Sequence, residues 1–307
     1  MSENWERETL EKLAFHALNE QRRARHWRIF FRMLGFTFLF LLLFLAYRER
    51  GEVSAGGKHT ALVELSGVIS ADTPASAEEI NSSLEDAFRD KDTRGVILEI
   101  NSPGGSPVQA GEINDEIRKL RKAYPQKPIY AVVGEVCASG AYYVAVATDR
   151  IYVDKASLVG SIGVLMDGFG FTGAMQKLGV ERRLLTAGEN KGFLDPYSPL
   201  SDRQKDYALG MLEEIHQQFI QAVRSGRGSR LKETPDMYSG LVWTGQKSLS
   251  LGLADGLGTT DYVAEKVIGA KEIVDYSPKE NIAMRVAKKF GVSFAGALME
   301  AMDLRVR

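Results

Sequence analysis

Two patterns of apolar positions divide the chain. From Met33 to Tyr47 the residues are apolar almost without interruption, and the run extends back to Ile29 if Arg32 reaches toward lipid headgroups. After about residue 60, short apolar runs alternate with stretches in which apolar residues recur at helical spacing. The first pattern is typical of a membrane span, and the second is typical of an α/β domain.

The outer part of the chain is predicted to be α/β with a mainly parallel sheet, because strands alternate with helices. The predicted strands are 61–69, 95–101, 128–134 and 150–153. The predicted helices are 77–90, 107–123, 139–148 and 202–225, the last beginning after Ser201, a residue type suited to the N-cap. The segment 180–185, with the apolar residues Val180, Leu184 and Leu185, is also strand-like.

These patterns predict five segments. They are a basic cytoplasmic leader (1–28), a transmembrane signal anchor (29–47), a tether rich in Gly, Glu and Lys (48–59), the α/β domain (60–270) and a C-terminal helical tail (271–307).

Charges around the apolar run predict its orientation. Arginines cluster before the run, whereas Arg48 and Arg50 after it are interleaved with Glu49 and Glu52. The positive-inside rule therefore places the N-terminus in the cytoplasm and the α/β domain outside it, with a single pass of the inner membrane. A cleavable signal peptide is the alternative, with a cleavage site near residues 53–55, but the leader is long for one.

Composition excludes several classes of function. The formal net charge is -1, so the chain lacks the concentrated basic face expected of a nucleic-acid-binding protein. With one cysteine, Cys137, no intrachain disulfide can form. The four histidines are scattered and show no zinc-ligand spacing, which argues against a metalloenzyme.

Ser139 is the first candidate for chemistry. In VCASGAYYVA (136–145) a small-Ser-Gly step precedes apolar residues at helical spacing, so the hydroxyl is expected at a helix start, where negative charge is stabilised. Such a serine suits a nucleophile, although an ordinary N-cap is the commoner role of a serine there.

A serine nucleophile needs a base, and Lys191 is the best candidate. No histidine lies in a segment typical of an active-site turn, which leaves a lysine kept neutral by desolvation. Lys191 lies in TAGENKGFLDPYSPL (186–200) among glycines and apolar residues, and Phe193 and Leu194 are the candidate sources of burial.

A third element is NSPGGS (101–106), at the end of a predicted strand. A Pro-Gly-Gly turn there leaves backbone N–H groups uncovered at the edge of the sheet where ligands bind in α/β proteins. Gly105 could donate such an N–H to an oxyanion, while a plain strand-to-helix turn is the alternative.

The chain resembles the SppA family of signal peptide peptidases over about residues 60–270. The resemblance rests on four motifs in this order: NSPGGS, ASGAYY, GSIGV (160–164) and AGENK. The resemblance implies Ser139 as nucleophile, Lys191 as general base, the N–H groups of Gly105 and Gly140 as oxyanion hole, and Ser161 as the residue that orients the lysine. It also implies a ClpP/crotonase-like spiral of β-β-α units, assembly into homo-oligomeric rings, and no metal or cofactor. Ala141 departs from the Ala-Ser-Gly-Gly of many members but leaves Gly140 available.

The expected reaction is hydrolysis of signal-peptide remnants or other apolar, membrane-derived peptides through an acyl-enzyme. Two alternatives stay open. One is a non-proteolytic scaffold that binds peptides at the membrane, and the other is a crotonase-type acyl-CoA enzyme, against which the anchor and the Ser-Lys pairing argue.

Overall fold

A computed structural model describes residues 19–23, 25–40, 44 and 57–278. The chain divides into two units, and one of them, Ala55–Asn281, is compact. In the other unit residues 25–40 are helical. Its Thr37 hydroxyl donates to the carbonyl of Met33 over 2.9 Å.

The transmembrane helix predicted over 29–47 is not supported by the described residues. None of their helices is long and apolar enough to cross a membrane. Within the described residues, the helical stretch 25–40 carries Arg25, Arg28 and Arg32. Residues 41–43 and 45–47 of the predicted span lie outside the described residues.

The compact unit is a mixed α/β fold built on a mostly parallel sheet, as the sequence predicts. Its strands are β1 His59–Ser66, β2 Thr93–Ser102, β3 Ile129–Ala138, β4 Arg150–Val153, β5 Leu158–Gly160, β6 Val242–Thr244, β7 Gly256–Leu257 and β8 Ile273–Asp275. Its α-helices are α1 Ala77–Arg89, α2 Pro107–Ala123, α3 Gly140–Ala145, α4 Thr172–Leu178, α5 Asp202–Arg227, α6 Gly245–Leu251 and α7 Thr260–Tyr262, the last continued by a π-helix over Val263–Ile268.

The longer helices begin where side chains can satisfy the first N–H groups. Ser76 caps α1, and Ser106 caps α2 directly before a proline in the first turn. The predicted N-cap Ser201 is confirmed, and it forms a capping box with Gln204.

The strand order is β6-β5-β3-β2-β1-β8, with β4 paired to β3 and β7 paired to β4. All the pairs are parallel except β5 with β6. The long strand β3 forks: its first half pairs with β4 and its second half with β5. Near their carboxyl ends β2 and β3 lie side by side, with Ser102 opposite Cys137. The turn after β2 and the start of α3 therefore meet at one edge of the sheet.

A buried ion pair ties the end of α5 to the sheet. Arg227 is 1% exposed, and its guanidinium donates to both carboxylate oxygens of Asp255 over 2.8 and 2.9 Å. Asp255 also accepts the N–H of Ile151 in β4. Burial alone would raise the pKa of Asp255, but hydrogen bonds and charge from Arg227 outweigh it and hold that pKa below its ordinary value.

Two expectations about the later chain need correction. Residues 180–185 form no strand and are exposed, because no neighbouring strand pairs with them. The segment predicted as a helical tail from 271 begins instead with strand β8, which pairs with β1. Residues 279–307 lie outside the described residues.

Candidate active site

Ser139 occupies a strained backbone position at the junction of β3 and α3. Its φ is 52° and its ψ is -126°, a conformation that a residue with a Cβ rarely adopts. It stands at the N-cap position but makes no side-chain capping hydrogen bond. The serine is therefore not a conventional helix cap, and its hydroxyl is available for other chemistry.

The Pro-Gly-Gly turn touches the serine directly. A Cβ placed on Gly104 would lie 2.6 Å from the backbone nitrogen of Gly140 and 2.8 Å from Cβ of Ser139, so only glycine fits there. The passing chain holds the turn, because Ile69 donates to the Gly104 carbonyl over 2.9 Å and accepts from Ser106 over 2.9 Å. The turn is thus held between Ile69 on one side and Ser139 on the other.

Two backbone N–H groups, those of Gly105 and Gly140, lie at this junction. A Cβ on Gly140 would lie 3.3 Å from the nitrogen of Gly105. Gly140 is the first residue of α3, so its N–H has no acceptor within the helix. Across the described part of the chain, neither N–H donates to another backbone or side-chain group. A pair of free donors beside a serine oxygen can bind an oxyanion.

A third segment fixes the other side of the serine. The N–H of Ser139 donates to the carbonyl of Gly160 over 2.8 Å, and the N–H of Ser161 donates to the carbonyl of Leu241 over 2.8 Å. Ser161 is itself strained, with a φ of 50°. Near it, Nε2 of His216 lies 3.2 Å from the carbonyl of Ile162. These contacts fix the segment that carries Ser161 beside Ser139.

One cavity of about 590 Å³ is lined by all the predicted site residues except the lysine, namely Gly105, Ser139, Gly140 and Ser161. The remaining walls are largely apolar and include Ala110, Tyr143, Val164, Leu165, Ile215 and Phe219. Burial raises the pKa of the Tyr143 phenol, so that group stays neutral near pH 7. Among the residues that the structure describes, no group of three or more His, Cys, Asp or Glu is placed to hold a metal ion.

Lys191 does not line this cavity. It lies on a largely exposed segment, residues 164–201, which we call the arm. Its side chain is exposed, so within one copy Phe193 and Leu194 do not bury it as the sequence suggested. Apolar side chains elsewhere on the arm are also exposed, including Leu178 at 78% and Leu185 at 95%. The structure therefore brings the serine and the oxyanion donors together, but not the lysine.

Contacts with α5 support the turn that carries Lys191. The Phe193 ring meets the Tyr207 ring edge to face, with centroids 5.6 Å apart, and Glu189 pairs with Arg203 over 2.7 Å. The lysine is thus held on an ordered turn, although away from the cavity.

Cys137, two residues before the serine, is fully buried in the hydrophobic core. Burial raises the pKa of its thiol, so no reactive thiolate is available. The prediction that it is a packing residue is confirmed.

Two further residues of this site were not singled out in the sequence. Gly104 packs directly against the serine, and the carbonyl of Gly160 accepts the serine's N–H. Both lie in motifs already quoted, NSPGGS and GSIGV, but sequence alone does not tell which glycine of a turn approaches another segment.

A strained serine between a sheet and a helix, with two free N–H groups beside it, is the arrangement typical of hydrolases that form an acyl-enzyme. Comparison with known proteins agrees. The model of "Peptidase family S49" matches residues 121–273, which include Ser139, Gly140, Ser161 and Lys191.

Three relatives show the extent of the similarity. The Na(+)/H(+) antiporter NhaA of Brucella abortus is 45% identical over 61% of this chain and 25% of its own length. A provisionally named protease of Methanocaldococcus jannaschii is 32% identical over 64% of each chain. Protease 4 of Haemophilus influenzae is 29% identical over 67% of this chain and 34% of its own length.

The chain belongs to peptidase family S49, of the SppA type. The predicted family is thereby confirmed. The matched part of the chain spans a quarter to a third of the length of the Brucella and Haemophilus relatives.

Proposed function

We propose that this protein is a serine endopeptidase in which Ser139 attacks a peptide carbonyl and Lys191 acts as general base. The serine oxygen bonds to the carbonyl carbon while its proton passes to the neutral lysine amine. The N–H groups of Gly105 and Gly140 stabilise the oxyanion, and the lysine then returns the proton to the leaving amine. Water hydrolyses the acyl-enzyme by the same steps.

The observation that carries this proposal is the strained Ser139 packed against the Pro-Gly-Gly turn. Strain of this kind costs about 1–3 kcal/mol and persists only where the surroundings enforce it. Here the Gly160 carbonyl and the Gly104 contact enforce it, and the serine hydroxyl gains no capping bond in return. Aiming the hydroxyl at an oxyanion site gives the strain a function.

We infer that a second copy of the chain supplies Lys191 to the cavity. The cavity contains no lysine or histidine, and the arm that carries Lys191 exposes many apolar side chains. Exposed apolar surface of this kind is typical of a protein interface. Assembly into a homo-oligomeric ring would cover the arm, and burial there would favour the neutral amine. We expect Ser161, which lines the cavity, to orient the incoming lysine.

Apolar walls favour small or apolar substrate side chains beside the scissile bond. An extended peptide can add as a strand along residues 161–165, which follow β5. The SppA family suggests signal-peptide remnants and other membrane-derived peptides as substrates, and a ClpP/crotonase-like spiral for residues 60–270. We infer both for this chain.

The location is inferred from the sequence alone. Residues 29–47 are proposed to anchor the chain in the inner membrane, with the leader in the cytoplasm and the peptidase domain on the periplasmic side, because the positive charges precede the apolar run. Protease digestion of spheroplasts compared with lysed cells tests this orientation, since only an external domain is degraded while the membrane is intact.

Hydrolysis of a fluorogenic apolar peptide by the full chain in detergent tests the reaction. We expect Ser139→Ala and Lys191→Ala each to abolish turnover. Ser82→Ala, an exposed serine on α1, and Lys177→Ala, an exposed lysine on the same arm, are the matched controls and should stay active.

Full activity in Ser139→Ala would contradict the assignment of Ser139 as nucleophile. Full activity in Lys191→Ala would contradict the assignment of Lys191 as general base. If no form cleaves but the chain binds apolar peptides, the peptide-binding scaffold becomes the better account. Membership in a peptidase family argues against the acyl-CoA enzyme.

A further inference from the structure

The two oxyanion donors belong to the starts of two neighbouring helices. Gly105 lies just before α2, whose first residue is Pro107, and Gly140 is the first residue of α3. The separation between the two N–H groups therefore depends on how α2 and α3 pack against each other. A hole that stabilises an oxyanion needs both donors about 2.7–3.1 Å from one oxygen, so small movements of either helix matter.

Two successive contacts join these helices. The Cβ of Ala110 would lie 3.3 Å from a Cβ on Gly140, so the helices touch closely at the donor end. One turn further along α2, the side-chain amide of Asn114 donates to the carbonyl of Tyr143 over 2.6 Å. Tyr143 lies in the last turn of the six-residue helix α3, so no backbone N–H of that helix donates to its carbonyl.

Asn114 is a polar residue in a position that otherwise suits an apolar one. It is 3% exposed and lies on the inner face of α2, between Ile113 and Ile117. Burying an amide is unfavourable unless its groups are paired. Both are paired here, because Nε of Arg118 donates to the amide oxygen over 2.7 Å and thereby turns the NH₂ group toward Tyr143.

We propose that Asn114 is a positioning residue that sets the width of the oxyanion hole by fixing α3 against α2. It does not line the Ser139 cavity, so it acts through Gly105 and Gly140. Arg118 orients the Asn114 amide and has a weaker effect of the same kind. This inference rests on the proposed acyl-enzyme reaction.

The decisive variant is Asn114→Asp, which preserves size and the acceptor for Arg118 but removes the donor to the Tyr143 carbonyl. The oxyanion forms only during the reaction, so we expect kcat to fall about 10- to 100-fold with KM little changed. Affinity for a peptide aldehyde should fall by the same factor, because Oγ of Ser139 adds to the aldehyde carbon and the carbonyl oxygen enters the hole. Affinity for the uncleaved peptide, measured in the Ser139→Ala background, should not change.

Asp115→Asn is the matched control, since Asp115 is the exposed neighbour on the same helix. It should leave kcat and aldehyde affinity unchanged. If Asn114→Asp fails to fold, Arg118→Met provides the test, with a loss in the same direction and of smaller size.

Unchanged aldehyde affinity in a folded Asn114→Asp variant would overturn the inference, as would an equal loss of affinity for aldehyde and uncleaved peptide. Activity in Ser139→Ala would instead overturn the proposed reaction, so the two failures are distinguishable.

Discussion

Gly104 offers a direct test of how the site is held together. Replacing it by alanine places a methyl group 2.6 Å from the nitrogen of Gly140, 2.7 Å from the carbonyl oxygen of Ala138 and 2.8 Å from Cβ of Ser139. None of these atoms is the end of a flexible side chain, so relief requires the backbone of the turn or of the serine to move. The φ of Gly104 is +97°, which alanine adopts only with strain.

The cost follows from these two terms. An unfavourable backbone conformation costs about 1–3 kcal/mol, and overpacking a tight site costs about 1–3 kcal/mol more. We therefore expect Gly104→Ala to lower the free energy of unfolding by about 2–6 kcal/mol, a large part of the roughly 5–15 kcal/mol of a typical domain. Because the displaced atoms include the nitrogen of Gly140, the proposed oxyanion donor, kcat should fall at least about 100-fold.

Urea unfolding followed by circular dichroism, together with peptide hydrolysis, measures both effects. Gly111→Ala is the matched control: Gly111 lies within α2 and no heavy atom would approach its added Cβ within 4 Å. Alanine there should stabilise the helix by about 0.5–1 kcal/mol and leave the rate unchanged. If Gly104→Ala is as stable and active as the unmodified chain, the described contact between turn and serine is wrong.

Two further predictions concern the buried ion pair. Arg227→Met leaves the Asp255 carboxylate buried without its main partner, so the free energy of unfolding should fall by about 3–5 kcal/mol; an unchanged urea midpoint would contradict this. Because the folded-state pKa of Asp255 is lowered, its stabilising contribution is present above the unfolded pKa of about 3.9 and is lost as the pH falls through the folded value. Between about pH 6 and 2, the urea midpoint of the unmodified chain should therefore fall more steeply than that of Asp255→Asn. Equal pH dependence in the two proteins would contradict the lowered pKa of Asp255.

The longer elements of the fold could be predicted because their apolar periodicity is strong. The strands ending at Ser102 and Ala138 and helix α2 lie close to their predicted ranges. The short strands β5 to β8 escaped prediction, since two or three residues carry no readable period. The run 180–185 was misread as a strand because apolar residues in an exposed arm resemble those of a buried strand.

The site was only partly predictable, because sequence patterns indicate where strands and helices end but not how distant segments pack. Parallel strands end at one edge, so Gly105 and Ser139 could be expected to meet there. The distance of Lys191 from the cavity depends on how the arm leaves the domain, which local sequence does not encode. Asn114 gave no signal, because a polar residue on a helix reads as solvated until its burial is known.

The most direct test of the dyad is to mix two inactive variants. Ser139→Ala and Lys191→Ala are purified separately, dissociated, combined in equal amounts and reassembled. If the serine and the lysine of one site come from different copies, about a quarter of the sites regain both groups and activity returns in that proportion. Two inactive variants that stay inactive after verified mixing would contradict a lysine supplied by a second copy, and activity in Lys191→Ala alone would contradict the dyad itself.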